Sequence, residues 1–107
     1  MYRLAAALLL SAPLVALAAG EPEFRLSIQN HRFTPDRIEV PAGKKVKLVV
    51  ENKDASAEEL ESHELRIEKV IAGKSKATVF VGPLKAGEYK FVGEFHEKTA
   101  KGVLVAK

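Results

Sequence analysis

The chain predicts an all-β fold, an antiparallel Greek-key β-sandwich of about seven short strands, and three observations carry that expectation. Apolar and polar residues alternate with a period of two in several separate stretches, as half-buried strands require. Turn signals containing Gly or Pro separate those stretches at intervals of roughly eight to twelve residues. No GxGxxG fingerprint, phosphate loop, internal repeat or low-complexity segment points to another architecture.

The first segment stands apart from this pattern. Tyr2 and Arg3 precede an apolar run from Leu4 to Ala19, interrupted only by Ser11 and Pro13, with small residues at Ala16 and Ala18. This predicts a secretory signal peptide over residues 1–19, cut after Ala18 or Ala19. The run falls short of the roughly 20 apolar residues that span a bilayer, and Pro13 breaks it. Residues 20–107 are then one small exported domain. Without Arg3 that domain keeps all but one of the chain's 17 basic residues against 14 acidic ones. Such a balance, with no basic patch interleaved with aromatics, excludes a nucleic-acid binder. The chain has no cysteine, so an exported domain of this size depends on its apolar core or a bound metal for stability.

From Glu23 the strands follow in order. Phe24, Leu26 and Ile28 alternate with Arg25, Ser27 and Gln29. Ile38 and Val40 run into the turn Pro41-Ala42-Gly43, and Val46, Leu48 and Val50 resume the alternation behind it. An acidic stretch from Glu51 to Ser62 interrupts the pattern. His63, Leu65 and Ile67 then share one face, with Glu64, Arg66 and Glu68 on the other. Ala72-Gly73-Lys74 turns the chain into a strand near residues 77–81, and Lys85-Ala86-Gly87 makes the next turn. Tyr89 and Phe91 alternate with Lys90 and Val92, a tight segment with Glu94, His96 and Glu97 follows, and residues 103–105 close the fold.

The chemistry-bearing residues are three histidines and the carboxylates around them. His63 opens a predicted strand, where a hydrogen-bonded packing histidine is the alternative to a ligand. His96 lies in a loop, where the alternative is an exposed side chain. Greek-key connectivity brings both to one end of the sandwich, which favours a shared metal site. His31 lies in the first interstrand loop, as a third ligand or a rim residue. Glu61 stands two residues before His63, and Glu94 two before His96, so in extended backbone each carboxylate lies on its histidine's side. A solvated acidic loop is the alternative for these residues and for Glu58, Glu59, Glu64 and Glu97. Ser62-His63 is only a sequential pair, and no nucleophile elbow supports a hydrolase.

The segment FRLSIQNHRFTPDRIEVPAGKKVKLVVEN resembles the opening of a cupredoxin, with Phe33, Pro35, Gly43 and Asn52 in that family's framework positions. The resemblance extends over residues 20–107. It implies that His63 and His96 stand at the family's two histidine ligands, in a loop whose cysteine position is Gly93 and whose methionine position is about Ala100. ESHEL (Glu61–Leu65) paired with GEFHE (Gly93–Glu97) is similar to the cysteine-free cupredoxin-like proteins of bacterial iron uptake, related to the EfeO-type domain. That resemblance implies a periplasmic protein that binds one copper or iron ion, helps oxidise ferrous iron, and works with an iron permease and a periplasmic metal-binding partner. Without thiolate or thioether a blue copper centre cannot form, whereas imidazole and carboxylate suit Cu(II), Fe or Zn. Two other functions stay open: a copper carrier or buffer without turnover, and a metal-free interaction domain.

Overall fold

A computed structural model describes residues 20–107; the expected signal peptide, residues 1–19, lies outside them. The described chain forms nine strands: β1 (Glu23–Gln29), β2 (Arg32–Thr34), β3 (Arg37–Val40), β4 (Val46–Asn52), β5 (Glu58–Ser62), β6 (Ile67–Ile71), β7 (Ser75–Val81), β8 (Gly87–Gly93) and β9 (Lys101–Ala106). One 3-10 turn, Glu94–His96, joins β8 to β9. The strands make two sheets, in the orders β2-β1-β4-β7 and β3-β9-β8-β5-β6.

The expected all-β sandwich is therefore present, with two more strands than expected and with mixed rather than purely antiparallel sheets. β1 pairs with β4, and β3 with β9, in parallel. The chain crosses between sheets after β2 and again after β3, so β4 returns to the first sheet running in the direction of β1. Among the described residues no helix is long and apolar enough to cross a membrane.

The alternating residues do what their spacing requires. Leu26 and Ile28 of β1, Val46, Leu48 and Val50 of β4, and Leu60, Ile71, Phe91 and Leu104 from the other sheet bury into one core. Burying each large aliphatic side chain contributes about 1.5–3 kcal/mol, and these residues supply the cohesion that disulfides give other exported domains.

Two segments differ from the sequence reading, and both affect the site. The acidic stretch contains strand β5, whose residues 58, 60 and 62 face the core while 59 and 61 face out. The expected strand through His63, Leu65 and Ile67 is instead a hairpin turn. Arg66 has φ 57 and its N–H donates to the His63 carbonyl, so β6 begins only at Ile67. The period-two spacing of residues 63, 65 and 67 arises because a turn anchor, Leu65, happens to fall in phase with the next strand.

Candidate metal centre

β8 ends at Gly93, where the chain closes a tight loop onto β9. Gly93 N–H donates to the Ala100 carbonyl at 2.8 Å, and Ala100 N–H donates to the His96 carbonyl at 2.8 Å. β5 pairs Leu60 with Gly93, so Glu58, two residues earlier, lies just beyond the end of β8 against the 3-10 turn. Its parity with Leu60 points it inward, and it is 1 % exposed. A carboxylate so placed must be hydrogen-bonded to be tolerated. Its Oε1 accepts the N–H groups of Phe95 (2.8 Å) and Glu59 (3.0 Å), and its Oε2 lies 2.6 Å from His96 Nδ1, within hydrogen-bond distance.

This packing requires glycine at position 93. A Cβ there would meet Glu58 Cδ at 2.6 Å and Ala100 Cβ at 2.7 Å. The carboxylate of Glu58 thus occupies the space into which a side chain at position 93 would project.

His31 reaches the same pole from the other sheet. Asn30 and His31 have φ of 54 and 58 and form the two-residue turn between β1 and β2, a conformation that favours Asn and, more weakly, His among residues with a Cβ. Asp54 holds this turn: Oδ1 accepts Asn30 N–H at 2.8 Å and Oδ2 accepts His31 N–H at 2.9 Å. The His31 carbonyl accepts Thr99 Oγ1–H at 2.6 Å, and its ring stacks on His96 with centroids 3.5 Å apart and planes 12° from parallel. The His31 N–H is the main reason the Asp54 carboxyl is held below its ordinary 3.8. Partial burial opposes this, while the Asn30 N–H and the His31 and His96 charges add to it.

Of the residues singled out in the sequence, His96 and His31 come together. The expected meeting of His63 with His96 does not occur. His63 is exposed in the β5–β6 turn, which is pinned to the middle of β8: Ser62 Oγ–H donates to the Lys90 carbonyl at 2.6 Å and Lys90 N–H to Glu64 Oε1 at 2.7 Å. Five residues of strand separate it from Glu58, about 16 Å at 3.3 Å per residue.

Glu61 and Glu94 also lie away from the imidazole pair. They lie beside each other on the outer face, where the Glu61 carboxylate is a hydrogen-bond partner for protonated Glu94 and so raises the Glu94 carboxyl above its ordinary value, with partial desolvation and the Glu61 charge adding. The two-residue spacing of Glu94 and His96 does not place them together, because a 3-10 turn repeats every three residues rather than two. Glu59, beside them, is likewise raised, first by desolvation and then by Glu94, Glu68 and Glu58. Glu58 and Asp54 were missed as site residues. The one sequence signal for Glu58 is its even spacing from Leu60.

With this geometry in place, comparison with known proteins identifies the architecture. The family model described as Cupredoxin-like domain matches residues 1–106. The chain belongs to the cupredoxin-like family. It is 37 % identical over 83 residues to an uncharacterised protein of Rickettsia prowazekii (strain Madrid E), a match over 78 % of this chain and 66 % of the relative, so the chain spans just under two thirds of that protein's length. Among solved structures it resembles the metal binding domain of the Streptococcus pneumoniae Cu(I)-exporting P-type ATPase CopA, with TM-score 0.74 and 18 % identity over 86 % of this chain and 91 % of that one. A copper binding protein in its apo form gives TM-score 0.73 and 18 % identity over 86 % and 93 %. Auracyanin A, a blue copper protein of Chloroflexus aurantiacus, gives 0.68 and 14 % over 82 % and 100 %.

A blue copper centre does not fit this cupredoxin-like chain. It has no cysteine, and Glu58 fills the space beside Gly93. The donors present are two imidazoles and a carboxylate, a set whose chemistry suits Cu(II), Zn or Fe. Among the described residues no three His, Cys, Asp or Glu side chains form a ready metal-ligand group. The geometry explains this: the stacked imidazoles are parallel, and each directs its lone pairs within its own plane.

Proposed function

We propose that this cupredoxin-like protein is periplasmic, that it binds a copper or iron ion at the pole where His96, Glu58 and His31 meet, and that it assists ferrous iron oxidation or delivery to an iron permease. One observation carries the reading: a buried carboxylate held 2.6 Å from an imidazole, with a second imidazole stacked on it, replaces the sulfur donors of a blue copper loop. Nitrogen and oxygen donors favour Cu(II) and Fe(III) over their reduced states, the direction that ferrous oxidation requires. The ion is cargo or substrate here. His96 and His31 provide imidazole nitrogens, Glu58 provides compensating negative charge, and the Phe95 and Glu59 N–H groups keep that carboxylate in place.

A copper carrier without turnover is the second reading, supported by the likeness to the CopA metal binding domain and to the apo copper binding protein. Titration of the protein with Cu(II), and with Fe(II) under anaerobic conditions before oxygen is admitted, separates the two. Binding lost in His96→Ala and kept in His63→Ala, together with accelerated ferrous oxidation, supports the iron role. Tight copper binding without oxidation supports the carrier. Unchanged affinity in His96→Ala would remove the site, and no binding of either ion would leave a metal-free interaction domain.

A further inference from the structure

Resting on the metal-binding reading above, we infer that Glu58 is a positioning residue that holds His96 as the Nδ1–H tautomer, so that Nε2 is the nitrogen this protein offers to a divalent cation. The N–H groups of Phe95 and Glu59 both donate to Oε1, which leaves Oε2 for His96. A carboxylate oxygen only accepts, so the hydrogen of that contact sits on Nδ1. A neutral imidazole protonated at Nδ1 has its lone pair at Nε2.

The surroundings agree with this assignment. The Glu58 side chain is 2 % exposed and that of His96 26 %. The Nδ1 edge of the ring abuts the buried carboxylate, so the exposure belongs to the remaining edges. No group among the described residues hydrogen-bonds His96 Nε2 or either ring nitrogen of His31. A cation cannot take the Nδ1 side as it stands. Bonds of about 2.0–2.2 Å to nitrogen and oxygen exceed what a 2.6 Å gap between the two donors accommodates at ordinary ligand angles. The arrangement that remains is carboxylate, imidazole, metal in series, in which the outer carboxylate fixes the ring and raises its basicity. The stacked His31 ring holds the plane of His96. A site of this kind takes imidazole-preferring divalent ions such as Cu(II) or Zn(II).

Long-range 1H–15N NMR of the histidine rings in the metal-free protein tests this at about pH 8, where an ordinary imidazole is neutral. The wild type should show His96 protonated at Nδ1. In Glu58→Gln, the Oε1 acceptor still serves two backbone N–H groups and the new NH2 faces Nδ1, so the tautomer should switch to Nε2–H. Zn(II), a diamagnetic probe, should shift Nε2 in the wild type and bind about 10–100-fold more weakly to Glu58→Gln. An Nε2–H tautomer in the wild type, or zinc on Nδ1, would overturn the inference, and the wild-type spectrum alone decides this if the variant fails to fold. The Nδ1–H tautomer and its switch, seen without any zinc binding, would uphold the positioning role and remove the metal-binding reading instead.

Discussion

Asn52 ties the site to the core, and replacing it should cost the protein a large share of its stability. It is the last residue of β4 and fully buried. Its Nδ2 donates to the carbonyls of Ser56 (2.9 Å), Ile71 (3.1 Å) and Ala72 (3.3 Å), and its Oδ1 accepts Asp54 N–H at 3.0 Å. Two amide hydrogens serve three carbonyls, so the side chain amounts to about three hydrogen bonds. At about 1 kcal/mol net each, Asn52→Ala should lose about 3 kcal/mol. For a domain of this size that lowers Tm by roughly 12–24 °C. Urea unfolding should show a lower midpoint at unchanged m. Asn52→Asp has the same shape and keeps the Asp54 bond, but it turns a carboxylate toward three carbonyls. It should be at least as damaging at neutral pH and recover in part on acidification, when the acid regains an O–H donor. A loss below about 1 kcal/mol in Asn52→Ala would refute the claim that these bonds organise the pole.

Further outcomes follow from the same geometry. Gly93→Cys should be destabilised by about 1–3 kcal/mol through overpacking and should give no intense thiolate-to-copper band, because Glu58 stands in the way; the band should require Glu58→Ala as well, and strong colour in the single variant would show that the carboxylate yields. Stability should depend on pH in two opposite limbs. The raised Glu94 carboxyl binds its proton more tightly folded than unfolded, so stability climbs as pH falls from neutral through the folded Glu94 value toward 4.5. Asp54 is depressed, so its contribution is present above 3.8 and is lost on further acidification. Thermal melts across this range should show a smaller climb in Glu94→Gln than in the wild type, the remainder belonging to the raised Glu59 carboxyl; an identical climb in both would dissociate it from the Glu61 pair.

The alternation in β1, β4 and β8 and the Pro41-Ala42-Gly43 turn were legible because a strand's two faces are written at a period of two in the chain itself. His96 was legible as a loop residue after a strand for the same reason. β2 was not, since its three residues follow a turn whose two φ values are positive. β5 was hidden by its composition. A run containing Glu58, Glu59 and Glu61 reads as solvated, and only pairing with β8 turns Glu58 into the core and the other two outward.

The sequence by itself determined the all-β class, most of the core and the absence of cysteine, all properties of residue type and local period. Tertiary structure decided which histidines meet. His31 and His96 stack because Asp54 grips one turn and Thr99 bridges to it, while a hairpin turn against Lys90 keeps His63 away. Register between β5 and β8 links residues 38 apart, Glu58 and His96, and nothing local in the chain specifies a contact over that separation. It is set by the pairing of β5 beside β8 within one sheet.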